Sequence, residues 1–228
     1  MLNLFFTYQL DFGPVLKATG EFMQGVGITL LFSLGTVFFG TLLGFIINLG
    51  HMSKHKPLAW LCGFYVSLIR GTPLLIQLYI LAYGIPILMG VNVNIFISGL
   101  VGLSLNSSAY VAEIFRSGIQ AVDPGQNEAA RSLGLSSSYT MKHIIFPQAL
   151  KNILPAIGNE FVTVVKESSV VSIIGIADIT RVADLVKAST LKVFEALIYA
   201  ALLYYVITSV LSWLIRLGEK RLNKYAAR

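Results

Sequence analysis

Three long runs of this chain contain no Asp, Glu, Lys or Arg: Phe22–Ser53, Gly71–Ala112 and Ala196–Ile215. A helix that crosses a bilayer needs about 20 consecutive apolar residues, so the first and third runs each hold one span. The middle run is long enough for two, with a turn at Met89-Gly-Val-Asn-Val-Asn94. Residues from about Asn152 to Ile176 make one more, interrupted by charge. The expected fold is an all-α integral membrane protein with five transmembrane helices. Composition agrees, since 12% of residues are charged against about 25% in a soluble domain.

The net charge of +6 would suit a nucleic-acid binder, but the placement of the charges argues for membrane topology. With the N-terminus outside, the inner segments hold Lys54, Lys56, Arg116, Arg131, Lys142, Lys151 and five basic residues from Arg216 to Arg228. That is 11 of the 17 basic residues. Positive-inside bias therefore predicts an outside N-terminus and a cytoplasmic C-terminus, with no nucleic-acid partner. Cys62 is the only cysteine, which excludes an intrachain disulfide. No cleavable signal peptide is expected, because the first twenty residues include Asp11 and lack a basic n-region. They read as a short amphipathic lead-in at the outer face. No linker or repeat divides residues 1–228, so one domain is expected.

In the first span Gly40 and Gly44 form a small-xxx-small pair that lets helix backbones approach closely. In the second, Pro73 predicts a kink or a fresh helix start near Arg70–Pro73. Arg70 either reaches the inner headgroups or bonds carbonyls freed by that break. The third span, near Asn94 to Phe115, carries Asn106, Tyr110 and Glu113 at i, i+4, i+7, hence on one face. Such a stripe is costly against lipid and should meet protein or a cavity. Three histidines without metal-ligand spacing predict no metal site.

Between the third and fourth spans lies Asn127-Glu-Ala-Ala-Arg-Ser-Leu-Gly-Leu-Ser-Ser-Ser-Tyr-Thr-Met-Lys-His-Ile-Ile-Phe-Pro-Gln-Ala-Leu150, the longest polar passage of the chain. Asp123-Pro124 predicts an N-cap with proline in the first helical turn. Gly134 predicts a left-handed stop. One of Ser136, Ser137 and Ser138 then caps a second helix, expected to run to Pro147.

Glu128-Ala129-Ala130, three residues, Gly134, nine residues, then Ile144 and, after one residue, Phe146-Pro147 resembles the EAA loop of ABC importer permeases. The usual Leu-Pro ending is Phe146-Pro147 here. Arg70-Gly-Thr-Pro-Leu-Leu-Ile-Gln77, Asn106-Ser-Ser-Ala-Tyr-Val-Ala-Glu113, Gln120-Ala-Val-Asp-Pro-Gly-Gln126, Asn159-Glu160-Phe161 and Lys166-Glu-Ser-Ser169 resemble the polar amino-acid uptake branch, across nearly the whole chain. The resemblance implies a type I ABC importer permease in the bacterial inner membrane. It implies cytoplasmic ATPase subunits, a second permease copy or a sister permease, and an extracytoplasmic substrate-binding protein. The loop at about 123–147 would be the coupling segment, with Glu128, Ala129, Ala130, Arg131, Leu133 and Gly134 at the ATPase. This chain would be non-catalytic. It has no GxxxxGK[ST] phosphate loop and would carry no cofactor, ATP and Mg being held by the partner ATPase.

Glu160, Lys166 and Glu167 interrupt the fourth span, and a charge at the bilayer centre costs at least about 2.5 kcal/mol. A zwitterionic amino acid needs an anionic partner for its ammonium and a cationic one for its carboxylate. The expected pocket lies between the third and fourth spans. Lys166 would bind the carboxylate and Glu160 the ammonium or a cationic side chain. Asn106, Ser107 and Ser108 would supply neutral hydrogen bonds, with Glu167 and Ser168 as further ligands. The alternative for Glu160 and Lys166 is an internal ion pair that never meets substrate. Two acids near one lysine suit arginine, lysine or histidine, while glutamine or cystine stays open. Asp178, Arg181, Asp184 and Lys187 either dock the binding protein or form the wet face of an amphipathic helix. The competing class is a self-sufficient ion-coupled transporter or channel, which has no use for a motor-docking helix.

Overall fold

The computed structural model describes residues 9–226, with side chains to residue 220. Residues 1–8 of the expected lead-in, residues 227–228, and the side chains of Arg221 and Lys224 in the basic tail lie outside the described set. Every regular element among the described residues is helical. In chain order they are α1 (Gly13–Lys17), α2 (Thr19–His51), α3 (Lys56–Arg70) and α4, which joins Leu74–Tyr79 to Ile85–Met89 through a π turn. α5 (Ile95–Gln120) and α6 (Pro124–Ser132) follow. α7 joins Ser137–Thr140 and Phe146–Glu167, again through a π turn. After a 3₁₀ stretch, Ser168–Ile174, come α8 (Ile179–Thr190) and α9 (Val193–Ala226).

Among the described residues three helices, α2, α5 and α9, are long and apolar enough to cross a membrane. α3 and α4 qualify only together, and they meet at 104°. The second expected span is thus a sharply bent pair of helices, with the geometry of a broken span or of a re-entrant loop. The break falls where the sequence places it: α3 ends at Arg70, Gly71 caps it, and Pro73 precedes α4. Outward side chains of α2 and α9, including Phe38 and Val206, are large, apolar and exposed, as lipid contact requires.

Two expected boundaries are corrected. The helix capped by Ser136 does not end at Pro147; α7 continues unbroken to Glu167. A proline lacks the N–H for the helix ladder and crowds the carbonyl four residues back. Here the turn before Pro147 widens into a π turn, Met141–Ile145, which absorbs that defect. The same device, Ile80–Gly84, precedes Pro86 in α4. The fourth expected span also stops short of Ile176. Helix gives way to 3₁₀ geometry at Ser168, where Ser168 and Ser172 donate to the carbonyls of Val165 and Ser169, three residues back. Such local bonds compete with the regular ladder, and Gly175 at φ 93° ends the stretch.

α2 and α5 lie side by side and form the centre of the molecule. The Gly40/Gly44 pair makes their approach possible. A Cβ on Gly44 would stand 2.7 Å from the Ser108 carbonyl oxygen, and one on Gly40 3.0 Å from the Ser107 hydroxyl. Around α1, Val15, Phe22, Ile179, Val182, Ala196 and Ala200 form one apolar cluster that ties α1, α2, α8 and α9 together.

Candidate functional site

α5 is set by its cap: Asn94 Oδ1 accepts from the Phe96 N–H at 2.8 Å. From there the helix buries an unusual row of polar residues, Ser98, Ser104, Asn106, Ser107 and Ser108. Successive residues on a helix point about 100° apart, so neighbours in this row face different elements.

Asn106 faces α4, donating to Gln77 Oε1 at 3.0 Å. Gln77 in turn donates to the carbonyls of Ile69 and Thr72 at 2.8 and 3.2 Å, and to the Thr72 hydroxyl at 2.8 Å. Gln77, rather than Arg70, therefore satisfies carbonyls released by the α3–α4 break. Arg70 instead lies over the Tyr110 ring, 5.3 Å from its centroid, a cation–π arrangement. Glu113 pairs with Arg116 one turn on, and Arg116 also donates to Gln120 at 2.8 Å. The Asn106–Tyr110–Glu113 stripe meets polar or charged protein groups, as its cost in lipid demands.

Ser108 faces α3. The Tyr65 hydroxyl sits 2.8 Å from the Ser108 hydroxyl and 2.9 Å from the Leu105 carbonyl. Ser107 turns toward α7, where it donates to Glu160 at 2.9 Å. Glu160 is half-buried, and its partner is this hydroxyl; no Glu160–Lys166 ion pair occurs among the described residues. Glu167 is the second acid close to Glu160. Lys166 is exposed and, with Thr208, Ser212 and Arg216 of α9, lines a groove of about 270 Å³. Ser168 is buried and spends its hydroxyl on the Val165 carbonyl. The seven expected ligands do not line a single cavity: Ser107 and Glu160 are bonded, Glu167 shares the Glu160 face two turns on, Lys166 lines a separate groove with α9, and Asn106, Ser108 and Ser168 are turned to other partners.

At the other end of α5 the polar segment forms the expected two-part structure. Asp123 caps α6, accepting from the Gly125 N–H at 2.8 Å, and Pro124 occupies the first turn. Gly134 is left-handed at φ 76°, and its N–H closes on the Arg131 carbonyl at 3.0 Å. Ser136 is the serine that caps α7, accepting from Tyr139 N–H at 3.3 Å. Glu128, Ala129, Arg131 and Leu133 are exposed along α6, while Ala130 is buried against the body.

Of two buried acids, the sequence points one, Asp178, to a wet surface, and leaves the other, Glu195, unmarked. Asp178 is 1% exposed, so it is not part of a wet docking face, although Asp184 and Lys187 do pair on the outside of α8 at 2.6 Å. Asp178 caps α8, accepting from Arg181 N–H at 2.8 Å and from the Tyr204 hydroxyl of α9 at 2.9 Å. Thr29 of α2 accepts from the next amide, Ile179 N–H, at 3.3 Å. Burial pushes the Asp178 carboxyl above the usual carboxylate range, and these hydrogen bonds offset part of that rise. Glu195, fully buried at the start of α9, accepts from Asp11 N–H at 2.9 Å. Its position at the lip of a charge-free run was the available signal.

Residues 40–224 match the family described as binding-protein-dependent transport system inner membrane component. The chain is 42% identical to the arginine transport system permease protein ArtQ of Bacillus subtilis, over 94% of this chain and 98% of that one. It is 40% identical to a putative glutamine transport system permease protein GlnP of Rickettsia bellii, over 95% and 98% of the two chains. Among solved structures, an amino acid ABC transporter crystallised with histidines superposes with a TM-score of 0.90 at 48% identity, covering 94% of this chain and all of that one. The inward-facing MetNI methionine transporter shares the fold, with a TM-score of 0.74 at 17% identity over 93% and 99% of the chains.

Proposed function

The chain belongs to the family of binding-protein-dependent transport system inner membrane components, and from that premise we propose that it is the permease subunit of an ATP-driven importer of basic amino acids. The observation that carries this reading is α6: a capped helix with exposed Glu128, Ala129 and Leu133, closed by a left-handed glycine, between two membrane elements. A short, exposed, rigidly ended helix is suited to insertion into a partner's groove. In this reading Glu128, Ala129, Arg131, Leu133 and Gly134 meet the ATPase, while Ala130, expected among them, is buried and packs the helix onto the body instead. The chain itself is not a catalyst, and ATP with its Mg is held by that partner.

Substrate passes beside Glu160. Two acids, Glu160 and Glu167, attract an ammonium or guanidinium, and Lys166 at the same end of α7 attracts the carboxylate. Ser107 holds Glu160 in place, and Asn106 and Ser108 serve as struts to α4 and α3 rather than as ligands. Residues 1–228 act as one permease domain in the bacterial inner membrane, with the N-terminus outside and the C-terminus in the cytoplasm. α3 with α4, and α7, complete five crossings. A second permease chain and an extracytoplasmic binding protein complete the transporter.

The test is uptake of labelled arginine and glutamine into vesicles carrying this chain with its ATPase and binding protein. ATP-dependent uptake of arginine over glutamine is expected. Preference for glutamine would remove the two-acid argument, and uptake driven by an ion gradient without ATP would overturn the reading of α6.

A further inference from the structure

α6 has two faces with different chemistry. Asp123, Asn127 and Arg131, at i, i+4 and i+8, share one face; Gly125, Ala129 and Ser132 lie opposite. The first face does not lie flat on the body. Between it and Ser137 and Thr140 of α7 opens a cleft of about 310 Å³, floored by Val122 and Ile145. That volume lies at the small end of ligand pockets.

The cleft holds an anion, an amide and a cation in a row. Asp123 uses Oδ1 on its capping bond to Gly125, which leaves the second carboxylate oxygen. The Arg131 guanidinium makes no ion pair among the described residues. Eight residues of helix separate the two Cα atoms by about 12 Å, and helical side chains lean toward the N-terminus, so Arg131 reaches back along the row. The remaining gap fits an extended molecule with a carboxylate at one end and a cation at the other.

We propose that the cleft behind α6 is a cytoplasmic site for a free amino acid with a cationic side chain, and that its occupancy restrains the coupling helix. The carboxylate sits on Arg131, the cationic tail on Asp123, and the Asn127 amide bonds the ligand between them. The methylenes lie on Val122 and Ile145. A bound ligand clamps α6 to the first turns of α7, so product accumulating inside the cell slows its own import. Glu128, Ala129 and Leu133 stay open to the ATPase, while Arg131, taken up by the ligand, is withheld from it. This inference rests on the basic-amino-acid reading above.

The experiment uses the complete transporter in proteoliposomes with its cytoplasmic face outward. Binding protein and arginine are sealed inside, and ATP hydrolysis is followed outside. Arginine added outside at millimolar concentration should lower the stimulated hydrolysis about fivefold, the small end of usual coupling between sites. Asn127→Leu and, separately, Ser137→Leu should keep normal hydrolysis without external arginine and lose the inhibition. If external arginine has no effect on wild type while internal arginine stimulates normally, the cleft proposal fails and the importer reading stands. If internal arginine with binding protein gives no stimulation, the importer reading fails first. If both variants lose hydrolysis and ATPase assembly while arginine still inhibits what remains, the cleft belongs to the ATPase and the proposal is overturned.

Discussion

Ser107 of α5 and Glu160 of α7 are joined by one hydrogen bond of 2.9 Å, and it is the bond that fixes an acid inside the membrane-embedded body. An ionised acceptor makes such a bond stronger than a neutral pair. Removing the hydroxyl leaves a partly buried carboxyl without its donor. Ser107→Ala should therefore lower substrate-stimulated ATP hydrolysis in part, and Glu160→Gln should abolish it with assembly intact. Unchanged stimulation in Glu160→Gln would remove Glu160 from the substrate path.

The α2–α5 contact makes a ranked prediction. Gly44 admits no Cβ without displacing the Ser108 carbonyl or Val111, whereas Gly40 meets the Ser107 side chain at 3.0 Å. Overpacking costs about 1–3 kcal/mol, and displaced backbone gives less readily than a rotatable hydroxyl. Gly44→Ala should lower the melting temperature more than Gly40→Ala. Gly40→Ala should also reduce substrate stimulation, because its new methyl presses on the hydroxyl that holds Glu160. Equal melting temperatures for both variants and wild type would show that the helices are not in close contact.

Asp178 predicts a pH effect whose sign is fixed by burial. Its folded pKa lies above the ordinary Asp value, so the folded state favours the protonated acid. That stabilisation is complete below about pH 3.9 and is lost as pH rises through the higher folded pKa. Asp178→Asn stays uncharged throughout. The stability of wild type relative to this variant should decline with rising pH across that window and then level off. Thermal unfolding of both proteins across the series measures it, and a difference independent of pH would refute it.

Gly134 predicts a coupling defect. Its φ of 76° costs a residue with a Cβ about 1–2 kcal/mol, and a β-branched side chain fits worst. Gly134→Val should leave the membrane body folded while transport and stimulated hydrolysis fall together. The check is melting temperature beside transport rate; a large drop in melting temperature with normal coupling would contradict it.

Much of this was legible in the sequence because the signals were local. Charge-free runs marked α2, α5 and α9, and Asp123, Pro124 and Gly134 marked both ends of α6. Asn106, Ser107 and Ser108 were harder to place. Grouped by adjacency they suggest one polar surface, but a turn of about 100° per residue sends them to Gln77, Glu160 and Tyr65 on three different helices. Gln77 reaches back eight residues to the Ile69 carbonyl, a bond made possible by the 104° bend and invisible to any periodic pattern. Pro147 looked like a terminator because the π turn that accommodates it carries no residue signature.

α7 runs from its cap at Ser136 to Glu167, 31 residues in all, with a π turn near its start and Pro155 inside it, or about 46 Å of helix. One end adjoins the segment read here as the motor contact, and the other carries both acids and Lys166. The two ends thus belong to one lever. If it pivots as a rigid body at its lower end, a tilt of about 5° carries the far end roughly 4 Å, about the width of a methylene chain. A displacement too small to unseat the helix at the motor is then large enough to widen or shut the passage at the acids.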